Sequence, residues 1–207
     1  MIDNYKAIIE LQKKFAEKVI TSDYLNNIET VCGVDVSYKD WNAFCSAVIV
    51  NKSSLESIEL VNEKSIVKYP YIPGLFMLRE AKPLLKILGL LKNSFEVLLI
   101  DGHGTLHPRK CGLACYIGIM TDKPTIGVAK NLLCGSILEN NYIISNKEIL
   151  GYRIRKNNKK DIYVSVGHKI SLETAVSIVI NLTKKNEFIP EPLKIANRNS
   201  KKYSNFK

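Results

Sequence analysis

Apolar side chains recur at Ile8, Leu11, Phe15 and Val19, with lysines on the intervening positions. That spacing predicts an amphipathic helix over 5–20. The pattern then becomes strand-like over 29–38, 41–50 and 55–61, with only Lys39-Asp40 and Asn51-Lys52-Ser53-Ser54 between the runs. Such short polar connections predict three antiparallel strands in a meander. Helical spacing returns over 75–91, through Leu78, Leu84, Leu85, Leu88 and Leu91. The unbroken apolar run Val97-Leu98-Leu99-Ile100 predicts a strand buried on both faces, since a half-exposed strand would alternate. A helix over 112–120 and a second buried strand over 125–128 come next. Strands near 149–154 and 162–166 precede a last helix over 171–182, with Ser171 as its N-cap and Thr174 in its first turn. The stretch 198–207 is polar and basic and is expected to form a mobile tail.

Three antiparallel strands followed by alternating helix and strand is a mixed-sheet α/β layout flanked by helices, the order of the RNase H-like fold. The 207 residues suit one domain spanning 1–207. No apolar run reaches membrane-spanning length, and the opening Met1-Ile2-Asp3-Asn4-Tyr5-Lys6 lacks a signal-peptide layout, so a cytoplasmic protein is expected. An odd count of five cysteines fits free thiols in a reducing compartment. The net charge of +10 is compatible with a polyanionic partner and equally with a lysine-rich solvated surface. Motifs must decide between them.

The densest motif is Asp101-Gly102-His103-Gly104-Thr105-Leu106-His107-Pro108-Arg109, directly after a buried strand. An acid at the carboxyl edge of a sheet, with glycines that allow close backbone approach, is where open α/β sheets place their sites. Asp35 interrupts Val34 and Val36 and points to the face opposite theirs. If the first and fourth strands are neighbours, Asp35 and Asp101 meet, and a hard divalent cation relieves their repulsion. Glu80 follows the proline-stiffened loop Pro70-Tyr71-Ile72-Pro73-Gly74, and Lys130 ends Gly127-Val128-Ala129-Lys130 at another strand's carboxyl end. His103, His107, Cys111 and Cys115 stand at four-residue steps, but Gly102, Gly104 and Pro108 forbid the continuous helix that would make them a zinc face. Cys111 and Cys115 lie among apolar residues and read as core thiols rather than nucleophiles.

Taken together, Gly33-Val34-Asp35-Val36, Pro70 to Gly74 with Arg79-Glu80, Asp101 to Arg109, Gly127 to Lys130 and Gly167-His168-Lys169 resemble the endonuclease V family, deoxyinosine-directed nucleases of the RNase H-like superfamily. The resemblance runs over about 29–198; Lys110 departs from a common arginine, and the segment between Gly135 and Gly151 is short. It implies that Asp35 and Asp101 hold Mg²⁺, replaceable by Mn²⁺, with Glu80 completing the set directly or through water. His168 would lie beside this cluster and position water or the leaving group, and Lys130 would meet the scissile phosphate or its attacking water. Pro70, Tyr71, Ile72 and Pro73 would form a wedge, with Tyr71 filling the gap left by a displaced base. Gly74, Gly102 and Gly104 would let backbone groups approach the flipped hypoxanthine, with His107 packed nearby. The implied reaction is DNA-repair cleavage one nucleotide 3′ of the lesion, leaving a 3′-hydroxyl and a 5′-phosphate. The partner implied is inosine-containing DNA, with no membrane or protein partner indicated. The alternatives are a nuclease of the same superfamily with another target, inosine-containing RNA (an inosine-specific endoribonuclease) or a branched DNA junction, and a binding module that kept the fold without catalysis. The presence of Asp35, Glu80 and Asp101 together argues against the binding module.

Overall fold

A computed structural model describes residues 5–155 and 160–205. The chain runs α1 (Lys6–Ala16), β1 (Thr30–Lys39), β2 (Asn42–Asn51), β3 (Ser57–Ile66), α2 (Met77–Leu88), β4 (Val97–Asp101), α3 (Leu113–Thr121), β5 (Thr125–Ala129), β6 (Ser136–Ile137), β7 (Tyr142–Ser145), β8 (Glu148–Ile154), β9 (Ile162–His168), α4 (Leu172–Asn181) and α5 (Glu191–Asn205). The strands form one mixed sheet in the order β3-β2-β1-β4-β5-β9-β8-β7-β6. The expected meander is its first three strands, and β4 and β5 then add parallel to β1. This is the mixed α/β sheet that the hydrophobic pattern predicts.

Helices cover both faces, which explains the unbroken apolar strands. Along β4, Val97 and Leu99 pack with Ala175, Ile178 and Val179 of α4 and Leu193 and Ala196 of α5. Leu98 and Ile100 turn the other way, onto Leu84 and Ile87 of α2 and Leu113 and Ile117 of α3. Each buried side chain of this size contributes on the order of 1.5–3 kcal/mol. Ser171 caps α4 as expected, its Oγ accepting from the Thr174 amide at 3.2 Å. Among the described residues the cysteines are free, and no helix is long and apolar enough to cross a membrane.

Three features depart from the sequence expectation. The short strands β6 and β7 extend the sheet where no strand is predicted. Residues 198–205, expected to be mobile, are instead the last turns of α5, whose Leu193, Ala196 and Ser200 are buried. In α1 it is Gln12 that is buried, while Leu11 of the apolar stripe stays 45% exposed.

Candidate active site

Because β1 and β4 are parallel, with Val34 opposite Ile100, Asp35 and Asp101 leave neighbouring strands at the same level. Asp35 is only 6% exposed. Its Oδ2 accepts from Ser200 Oγ at 2.6 Å and from Asn197 Nδ2 at 3.3 Å, both on α5, and Ser200 Oγ lies 2.7 Å from Ser37 Oγ. Burial, opposed in part by the Ser200 hydrogen bond and reinforced by the charge of Asp101, pushes the Asp35 carboxyl up to about 6. Glu80 is buried in α2, and Tyr38 donates its hydroxyl to Oε1 at 2.8 Å. Burial raises its pKa well above the usual carboxylate range, and the charges of Asp35 and Asp101 add to the rise. The third acid, Asp101, forms an ion pair with Lys130. Asp35 and Glu80 therefore both feel the charge of Asp101.

Among the described residues no three acidic, histidine or cysteine side chains already enclose a common point as a metal cage would. Magnesium does not need one: it takes one or two carboxylates and keeps its remaining waters. Asp35 and Glu80, hard oxygen donors whose pKa values are pushed up by burial and then by the charge of Asp101, fit such an ion, because a nearby cation favours the ionised forms that burial now disfavours.

The acids open onto a cavity of about 310 Å³ that also takes in Tyr71, Gly74, Gly102, His107 and Lys130. Pro70 and Pro73 are exposed and Ile72 is half-buried. Tyr71 is 62% exposed and meets Phe76 edge-on, with ring centroids 5.4 Å apart. Gly74 ends this loop at φ +75°, a left-handed backbone that favours glycine. His107 is buried and donates from Nε2 to the Gly74 carbonyl at 3.1 Å, while the Arg109 amide donates to its Nδ1 at 3.1 Å. Those two bonds fix the neutral Nε2–H tautomer. Burial, with the nearby Arg109 cation, holds the ring's pKa down to about 4.

Two expected site residues lie elsewhere. Gly104 does not line the cavity: it is pressed against β9, its amide donating to Ser165 Oγ at 2.9 Å, so its missing side chain serves packing. His168 is not beside the acids either. β9 runs antiparallel to β5 and sets His168 opposite Thr125, at the end of β5 remote from Lys130. Five residues of extended chain, from Thr125 to Lys130, make that separation roughly 16 Å. The ring is 4% exposed, accepts from the Ile20 amide at 3.3 Å through Nδ1, and has Asp122 4.0 Å from Nε2. With the cleavage that the motif resemblance implies as readout, we expect His168→Ala to lower the thermal midpoint while keeping the parental rate at a temperature where it stays folded. A variant that melts normally but cuts slowly would return His168 to the chemistry.

The structure also adds residues that sequence patterns do not single out: Ser200 and Asn197 against Asp35, Tyr38 against Glu80, and Gln12 in the cavity wall. The one legible trace of α5 was Glu191-Pro192, a proline suited to a first helical turn, followed by small or apolar residues at 193, 196 and 200.

Comparison with known proteins gives a consistent answer. Residues 13–198 match the family model described as Endonuclease V. The Endonuclease V of Thermofilum pendens is 40% identical over 191 residues, covering 89% of this chain and 82% of that protein. The Endonuclease V of Dictyoglomus thermophilum is 38% identical over 210 residues, covering 98% and 92%. Among solved structures, Ciona intestinalis Endonuclease V in complex with a 24mer DNA containing an inosine followed by a ribo-adenosine superposes with a TM-score of 0.88 at 28% identity, covering 99% of each chain. Streptomyces avermitilis Endonuclease V gives 0.89 at 28% identity, covering 97% of this chain and 93% of its own. With its paired acids, stiffened loop and sheet order all in place, this chain belongs to the Endonuclease V family.

Proposed function

We propose that this chain is a magnesium-dependent endonuclease that cuts inosine-containing DNA one nucleotide 3′ of the lesion, in the service of DNA repair. The observation that carries the reading is the meeting of Asp35, Asp101 and Glu80 in the same cavity as the exposed Tyr71 loop. The DNA bound to the Ciona relative, which contains an inosine, supports the choice of lesion. Asp35 and Asp101 would hold the ion, with Glu80 joining directly or through water. A bound magnesium supplies an acidified water and offsets the charge that builds on the phosphate.

The rest falls to the chain's own side chains. Ser200 and Asn197 keep Asp35 in one orientation. Lys130, now paired with Asp101, would turn to the scissile phosphate or its attacking water once Asp101 is otherwise engaged. Attack at phosphorus breaks the bond to the 3′-oxygen, which leaves as a hydroxyl while the phosphate stays on the 5′ side of the next nucleotide. His107, neutral at working pH, adds no charge beside an uncharged base. Tyr71 stands free to enter the stack as the base leaves it.

The test uses matched DNA and RNA strands with and without inosine, each with magnesium, with manganese and with chelator. Metal-dependent nicking of inosine DNA alone is expected, with manganese substituting for magnesium. Equal cutting of plain strands would overturn the lesion specificity, and cutting in chelator would overturn the metal. A second reading, inosine in RNA, is favoured by the ribo-adenosine in the Ciona complex and predicts nicking of the RNA strand. For the wedge, Tyr71→Ala is expected to weaken inosine-strand binding by roughly 1–3 kcal/mol, the worth of one base–aromatic stack. Its thermal midpoint should stay near parental, since the ring is largely exposed. A large drop in melting temperature would make Tyr71 a structural residue instead.

A further inference from the structure

Gln12 is 1% exposed, yet it lies on a helix whose other inward positions are only half-buried. Its side chain closes a ring of hydrogen bonds across the cavity wall. Nε2 donates to the Cys111 carbonyl at 2.5 Å and reaches the Gly74 carbonyl at 3.4 Å. Oε1 accepts from Arg109 Nε at 2.6 Å, and Arg109 Nη2 donates to the same Gly74 carbonyl at 2.6 Å. His107 Nε2 also points at that oxygen, from 3.1 Å. A buried amide that spends both ends on the loop residues lining a cavity, rather than on neighbours in its own helix, holds those loops in register. Here the loops are the one that ends at Gly74 and the one that follows Asp101. Their relative placement sets how far Tyr71 stands from the acids and how deep the cavity is.

We propose that Gln12 is a positioning residue for lesion specificity: through Arg109 and the Gly74 carbonyl it fixes the wedge loop against the acidic cluster, so that the cavity accepts a displaced hypoxanthine at one depth. The inference rests on the reading of the cavity as an inosine site. Leucine at position 12 matches the volume but leaves Arg109 Nε and the Cys111 carbonyl unpaired. Glutamate still accepts from Arg109 but cannot donate to either carbonyl.

The experiment measures dissociation constants in chelator for matched duplexes with and without inosine, together with amide hydrogen exchange over 70–75 in the free protein. For Gln12→Leu the preference for inosine is expected to fall on the order of tenfold. Affinity for the plain duplex should stay within about twofold, because sequence-independent phosphate contacts carry it. Exchange over 70–75 should speed up while β4 stays protected. Gln12→Glu should keep an intermediate preference, a graded rescue that a purely architectural role would not produce. If Gln12→Leu does not fold, Gln12→Glu carries the same comparison. A parental protein without inosine preference would overturn the function proposed above. A folded variant that keeps the parental preference, from a parental protein that has one, would overturn this inference alone.

Discussion

Asp35→Asn is expected to abolish cleavage and at the same time to make the metal-free protein more stable at neutral pH. The two effects share one cause. Asp35 is buried beside Asp101, and its carboxyl is pushed up to about 6. The folded state therefore binds this proton more tightly than the unfolded chain, where an aspartate titrates near 3.8. Below the unfolded value both states are protonated and the group costs nothing. As pH rises through that window the folded state is penalised progressively, and above about 6 the penalty is constant. It amounts to on the order of 2–3 kcal/mol. Asparagine carries no charge and can still accept from Ser200, so the stability gap between variant and parent should open between about pH 4 and 6 and stay flat above. Cleavage should drop by at least about a thousandfold, since phosphoryl-transfer sites depend on charge placed where it is needed. Calorimetry across pH with chelator present, and single-turnover nicking with magnesium, check the two halves. A variant less stable than the parent at pH 7 would show that Asp35 is comfortably ionised in the fold and not strained by its neighbours.

Gly104→Ala should be among the most damaging single substitutions to stability. A β-carbon there would sit 2.6 Å from the Val166 carbonyl carbon and closer still to its oxygen, in backbone that has no slack. The loop is held on both sides: the Thr105 amide donates to that same Val166 carbonyl at 2.7 Å, and the Gly104 carbonyl accepts from the Gly112 amide at 2.9 Å. Relief requires moving β9 or breaking these bonds. A cost on the order of 3 kcal/mol follows, or roughly 6–12 °C of melting temperature for a protein of this size. Near-parental melting with selective loss of inosine binding would return Gly104 to the ligand.

Much of this could be read from the chain because the relevant signals are local or repeat with a short period. The two-sided burial of β4 shows in its unbroken apolar run, and the pairing of Asp35 with Asp101 follows once β1 and β4 are neighbours. What was illegible depends on distant parts of the chain. The strand β6 has two residues and β7 four, too few to carry a pattern. The direction of β9 depends on how many hairpins precede it, so the end of the sheet that receives His168 could not be inferred without them. α5 hides its helical face in one small or apolar side chain per turn among asparagines, serines and lysines, residues that also suit coil. Gln12 sits between apolar stripe and lysines, and nothing in its neighbours shows that partners 97 and 99 positions away will claim it.

The contact between Asp35 and α5 also sets an order of events in the life of the chain. The serine and the asparagine that steady this carboxylate lie 165 and 162 positions downstream, so synthesis delivers β1 well before its support. The elements between them can pair and bury apolar surface before α5 emerges, but the bond that fixes the acid cannot form until it does. A nascent or truncated chain that stops short of Asn197 thus holds its first carboxylate without the groups that aim it. The carboxylate is aimed only once α5 closes over the sheet, so a chain made as far as β9 has the strands of the site without its finished edge.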